Sequence, residues 1–270
     1  MRAQLAVLRQ VIWRRRLSLL WWSLGVLGLD ALLAVAYPTV RDNTELDKTF
    51  AGLPPAVQAS LGLGAANLLT SPIGYLNSQY FANLLPIVLL VFAIGLAAWS
   101  ISGDEASGSL ELLLANPVSR VRVALERAGA LIVLLGILTV VAALGLVLLA
   151  PLTGLNKGLG GDRILAAAVA TGLLALVFAS VTFAVGAATG IRSLAITTSA
   201  ILAVALFVVE GLGEQVRALR PIREASPWHW LLHTDPLRHG LLWEAWVLPV
   251  LVSLVLVGTG IGIFARRDLH

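Results

Sequence analysis

The chain has no cysteine. That one absence removes disulfide staples, zinc–thiolate sites, iron–sulfur ligation and thiol nucleophiles. Charge is scarce too: 13% of the 270 residues are Asp, Glu, Lys or Arg, against 58% hydrophobic residues. A soluble domain carries roughly 25% charged residues, so this chain lacks the charge to cover a water-facing surface. No Gly-x-x-x-x-Gly-Lys-Ser/Thr loop is present. Lys157 is followed by Gly158, and Lys48 has no glycine in the required frame. The chain is therefore not expected to hydrolyse ATP. The zinc-protease pattern His-Glu-x-x-His is missing as well, because Trp230 follows His229.

What is present is long apolar sequence, with mean hydropathy +0.89. A helix needs about 20 mostly apolar residues to cross a bilayer. Six stretches qualify: 17–37, 81–101, 128–150, 164–189, 193–210 and 246–264. The expected fold is an all-α membrane protein with six transmembrane helices. Residues 1–16 are expected to form a basic interfacial helix, with Leu5, Leu8 and Ile12 on one face beside an Arg2, Arg9 and Arg16 stripe. Ala34-Val35-Ala36 resembles a signal-peptide cleavage site, but the region before the apolar run is long, so we read a retained helix.

An even number of spans puts both termini on one side. One side then carries Arg2, Arg9, Arg14, Arg15, Arg16, Arg120, Arg122, Arg127, Arg192, Arg266 and Arg267. The other carries Arg41, Lys48, Lys157, Arg163, Arg217, Arg220, Arg223 and Arg238. The positive-inside rule places the termini in the cytoplasm. The same rule accounts for the pI near 10.1, so no nucleic-acid partner is expected. Trp13 and Trp99 fall near inner span ends, and Trp228, Trp230, Trp243 and Trp246 near the outer end of the last span. All six read as headgroup anchors.

The segments between spans differ in character. The outer segments are 38–80, broken by glycine and proline, and 211–245, which can hold short helices at the interface. The inner segment 102–122 reads SGDEASGSLELLLANPVSRVR. Ser109 can cap a short helix, Glu111 falls in its first turn and Pro117 ends it. Such a helix is too short to span and too apolar to float. It needs a surface, either a cytoplasmic partner or the inner leaflet.

Gly108 to Arg120 resembles the "GTLELLLS-P-SR" stretch of type-2 ABC transporter permeases, with Ser109 where threonine is usual. Other segments agree in the same order: Gly74-Tyr75-Leu76, Thr189 to Arg192, Ser226-Pro227-Trp228 followed by Asp235-Pro236-Leu237, and Phe264 to Leu269. The resemblance covers the whole chain. It implies a non-catalytic permease subunit of an ATP-driven exporter, paired with a second permease copy and served by two copies of a separate ATP-binding subunit. ATP and Mg would sit on that subunit, and this chain would hold no cofactor or metal. Glu105, Ser109, Glu111, Leu112, Asn116, Pro117 and Arg120 would form the coupling helix and its contacts with the ATPase. A bacterial cytoplasmic membrane is the expected location, consistent with the preference for arginine over lysine.

Two carboxylates stand out as pathway candidates. Asp30 lies inside the first span, where it could line a substrate path or bind a cation, or else be hydrated near the outer interface or pair with an outer arginine. Glu210, at the outer end of the fifth span, has the same readings. An ion- or proton-coupled secondary transporter or channel using Asp30 is the alternative function, although no repeat relates the two halves. An intramembrane enzyme would need a convergent nucleophile–base or metal set. Only His229, His233, Asp235 and His239 approach one, and they read better as an interfacial loop. Glu126 and Arg122, four residues apart, can pair along a helix.

Overall fold

Uninterrupted Leu, Val and Ala runs favour helix in a solvent that cannot bond to the backbone, because a helix satisfies its own N–H and C=O groups. The computed structural model describes residues 6–43, 45, 48–49, 52–54, 57, 69–100, 119–213 and 216–267. Among them every regular element is helical. Six helices are long and apolar enough to cross a membrane: α1 (Val7–Arg41, extending back to Ala6), α2 (Pro72–Ala98), α3 (Arg120–Thr153), α4 (Gly161–Thr189), α5 (Arg192–Leu212) and α9 (Trp243–Arg266). Between α5 and α9 lie a 3-10 turn (Arg217–Leu219) and three short helices: α6 (Arg220–Glu224), α7 (Pro227–Thr234) and α8 (Pro236–His239).

These helices outrun the apolar stretches at their polar ends. The boundary expected between an interfacial helix over 1–16 and a first span does not appear as a break: α1 continues through it. No glycine or proline stands between Ala6 and Ser23 to interrupt it, and long arginine side chains let their heads reach water from a helix end. The second span starts nine residues before Phe81, at Pro72, which Ser71 caps by accepting from the Gly74 N–H. Its first part winds as a π-helix over Leu76–Leu84 before the α-helix resumes at Leu85.

Helix α4 is the hub, packing against α2, α3, α5 and α9, while α1 packs along α3. Small buried residues of α4 allow this, among them Ala167, Ala168, Ala170, Gly172, Ala175 and Ala179. A Cβ on Gly172 would meet the Thr139 side chain of α3 at 2.6 Å. The Thr182 hydroxyl adds a buried hydrogen bond to Ser199 of α5 at 2.7 Å. Gly154 and Gly190, at φ 83° and 73°, end α3 and α4 in the left-handed conformation that L side chains resist.

Candidate functional site: a groove and a coupling face

Helices α2 and α5 flank an apolar groove of about 470 Å³. Ile87, Leu90, Val91 and Ile94 line one side and Ile196, Ala200, Val204 and Phe207 the other. Asn83 is the one amide facing it, and its Nδ2 is held by the Ser78 carbonyl at 2.6 Å. The volume lies within the usual range for ligand sites, about 300–1,000 Å³.

Trp228 of α7 closes one end of the groove. Its ring meets Phe207 edge-on at 4.8 Å, and its indole N–H donates to the Ala203 carbonyl at 3.0 Å. Sequence alone assigns Trp228 to headgroup anchoring. The structure instead buries it to 3% exposure, because Ser226 and Pro227 start a helix that turns the ring inward. Trp243 and Trp246 do remain exposed.

Glu210 ties this cap to α5. Its Oε1 lies 3.1 Å from Arg223 Nε and 3.2 Å from His229 Nδ1. His229 stacks on His233 with centroids 4.8 Å apart. Among the described residues, no group of three or more His, Cys, Asp or Glu comes together as a metal site would require. Glu210 is buried behind the groove and is not one of its lining residues.

Asp30 is also absent from the groove wall. It is fully buried, and among the described residues no arginine pairs with it. The Tyr80 hydroxyl donates to Oδ1, while Oδ2 lies against Gly145 of α3 with no hydrogen-bond partner among the described residues. The π-helical stretch carries Tyr80 to this position. The polar run Asn77-Ser78-Gln79-Tyr80 inside an apolar segment is the signal that could have revealed it. π-Turns within helices are frequent at functional sites.

The N-terminal end of the bundle forms a second face. Residues 101–118 fall outside the described set, so the expected roles of Glu105, Ser109, Glu111, Leu112, Asn116 and Pro117 lie there without a structural account. Their flanks are described. Arg127, 2% exposed, donates to the Ser100 carbonyl. Ser119 caps α3 by accepting from the Arg122 N–H. Arg120, expected as an ATPase contact, donates from Nη1 to the Arg267 carbonyl at 2.6 Å. Arg267 in turn donates to the Ala187 carbonyl at 3.0 Å. That carbonyl belongs to the last turn of α4, where a cation is favoured.

Glu126, which the sequence pairs with Arg122 along a helix, is 8% exposed. It accepts from the backbone N–H groups of Val7 at 2.9 Å and Leu8 at 3.2 Å, and pairs with Arg122 at 2.9 Å. The carboxylate thus serves the unsatisfied donors at the start of α1. The two ends of the 101–118 segment, the start of α1 and the C-terminal residues are fastened together.

A family model described as ABC-2 family transporter protein matches residues 14–269. Comparison with curated proteins gives no match. The matched region takes in the groove, its Trp228 cap and the fastened flanks of the 101–118 segment. With six apolar helices and a family match over nearly the whole chain, the protein belongs to the ABC-2 family of transporter proteins, as a membrane-embedded permease subunit.

Proposed function

We propose that this chain is the membrane half of an ATP-driven exporter for hydrophobic or amphipathic molecules. Two copies would form the pathway, and two copies of a separate ATP-binding subunit would supply energy from ATP and Mg. The observation that carries the substrate class is the apolar groove between α2 and α5 with its Trp228 cap. Its lining offers a solute van der Waals contact and very few polar groups. Alternating access requires that nucleotide-driven closure favour one arrangement of the helices over another. Residues 101–118 are the proposed receiver, since they connect α2 and α3 directly at their fastened ends.

Both termini are proposed to be cytoplasmic and the membrane to be a bacterial inner membrane. The arginines of α1 and the arginine-bearing ends of α3, α5 and α9 support that orientation. The test is affinity purification from the native membrane in mild detergent. An ATP-binding subunit should co-purify in equal amount, and Glu111→Arg should release it. A chain that comes alone, yet still transports without ATP, refutes the proposal. Candidate substrates are then screened by stimulation of the partner's ATPase activity.

A further inference from the structure

The π-helical stretch Leu76–Leu84 contributes Asn83 to the apolar groove. Its Nδ2 donates to the Ser78 carbonyl, five residues back, at 2.6 Å. A carbonyl only accepts, so this bond fixes which end of the amide is nitrogen. Oδ1 is left as an acceptor with no hydrogen-bond partner among the described residues, and it is not sealed inside the protein. The Trp228 indole N–H, in contrast, is already committed to the Ala203 carbonyl. Around Asn83 the groove is walled by Ile87, Val91, Val204 and Phe207. An unmet acceptor is costly against such walls. A solute that brings a donor to Oδ1 recovers that cost, and one without a donor does not.

The groove has a direction. Gly95 and Arg192 line one smaller cavity, so the C-terminal part of α2 lies beside the start of α5. Asn83 therefore sits at the opposite end, with Phe207 and Trp228, while Ile94, Gly95 and Ile196 form an aliphatic end. From Asn83 to Gly95, α2 rises about 18 Å at the usual helical rise per residue. A polar atom at one end and aliphatic walls along the rest match a molecule with a head and a tail. Ile87, Val91 and Val204 are each more than half exposed, so such a molecule reaches the groove sideways from lipid.

We propose that the groove selects an uncharged amphiphile whose head carries a hydrogen-bond donor, a hydroxyl or an amide N–H. Asn83 Oδ1 accepts from that head, and the tail runs toward Gly95. Asn83 is then the specificity-determining residue. A charged head is disfavoured, because it must shed water against apolar side chains. A site that bonds a polar group rejects the analogue lacking it, because its own polar atom is left unmet. The inference deepens the proposed function and rests on it for the groove's role in transport, but binding is measured apart from transport.

The test uses the full chain with whatever partner it retains, immobilised in neutral detergent. Binding of tritiated dodecan-1-ol is followed by scintillation proximity. Unlabelled 1-chlorododecane, dodecanoate and dodecylammonium compete, with free concentrations corrected for micelle partition. The chloride has the same chain and no proton to donate. The alcohol should bind more tightly than the chloride, although the chloride is more hydrophobic, and both ions should bind weakly. Asn83→Leu should lower the alcohol-to-chloride preference about fivefold, the typical net contribution of one hydrogen bond. Asn83→Asp should raise dodecylammonium affinity about tenfold through a charge-assisted bond, a gain that a merely structural role for Asn83 would not produce. Gly95→Leu, whose Cβ meets nothing within 4 Å, should weaken dodecan-1-ol and spare hexan-1-ol.

Equal affinity for alcohol and chloride in the parent chain overturns the inference, whether or not Asn83→Leu folds. So does an unchanged preference in Asn83→Leu, no gain of dodecylammonium in Asn83→Asp, or tighter binding of either ion by the parent chain. Unchanged dodecan-1-ol binding in Gly95→Leu overturns it too. Dodecan-1-ol bound by monomers but excluded from dimers would assign the groove to the second copy, and the inference fails. Loss of the donor preference while the ATP-binding subunit still co-purifies sinks this inference alone. Absence of that subunit with the preference intact sinks the exporter reading alone.

Discussion

Asp30 places a carboxyl group in the interior of the bundle with one hydrogen bond, from Tyr80, and its other oxygen against Gly145. Burying such a group is costly unless it is bonded, so Tyr80 is the residue that makes Asp30 tolerable. Tyr80→Phe removes the donor and leaves the acceptor buried. It should cost about 1–3 kcal/mol, read as a lower melting temperature in detergent. Asp30→Asn keeps an acceptor for Tyr80 and should stay within about 1 kcal/mol of the parent. It should also leave substrate-stimulated ATPase activity intact, because Asp30 does not line the groove. A proton-coupled carrier working through Asp30 would instead lose transport in that variant. Gly145→Ala puts a Cβ 2.6 Å from Leu27 Cδ2 and closer still to the Asp30 carboxyl. Overpacking of this kind costs typically 1–3 kcal/mol, so this small change should destabilise about as much as Tyr80→Phe. Asp30 was visible in the sequence as a lone carboxylate in an apolar run. The polar run Asn77 to Tyr80 marks the helix that meets it, but the π-helical register decides which of those residues, fifty positions away, faces Asp30.

At the scale of elements, hydropathy located every span and bounded α4, α5 and α9 to within three residues, but missed the starts of α1, α2 and α3. Apolar runs mark the hydrocarbon core, whereas helices continue into the interface as long as nothing breaks them. Arginine and tryptophan do not break a helix, so α1 and α3 reach well past their apolar centres. The Arg122–Glu126 pair was legible from its spacing. The docking of Glu126 on the start of α1, 119 positions away, could come only from the fold. Glu126→Ala should therefore loosen the start of α1 rather than α3, whose own cap at Ser119 is separate. Hydrogen exchange should rise at residues 7–16, with a stability loss of about 1–2 kcal/mol. Uniform loss of protection across α3 would show that the carboxylate instead supports its own helix. The groove was similarly hidden. Each lining residue reads as ordinary lipid-facing helix, and only the approach of α7 turns Trp228 into a cap.

At the scale of the whole molecule, the described residues differ in charge pairing between the two ends. At the N-terminal end, Arg9, Arg14, Arg16, Arg192 and Arg266 are exposed, and among the described residues Arg122 pairs with Glu126. At the other end most basic side chains lie beside carboxylates: Arg41 with Asp42, Lys48 with Glu45, Arg163 with Asp162, Arg223 with Glu210 and Arg238 with Asp235. Four arginines, Arg217, Arg220, Arg223 and Arg238, lie between Glu210 and Glu244. Within the fold, Arg223 ties α6 to Glu210 of α5, and Arg238 of α8 pairs with Asp235 at the junction of α7 and α8. The absence of cysteine makes the resulting orientation easy to measure, because a single introduced thiol has no background. Gly158→Cys lies in the loop joining α3 to α4, at the end opposite Arg14→Cys on α1. In intact cells a membrane-impermeant maleimide should label Gly158→Cys and spare Arg14→Cys, and lysis should expose both. The reverse pattern would put the arginine-rich end outside, against the retention of positive charge that normally orients a first span. It would also place residues 101–118 beyond the reach of any cytoplasmic ATPase, so one labelling experiment tests both the orientation and the coupling route that depends on it.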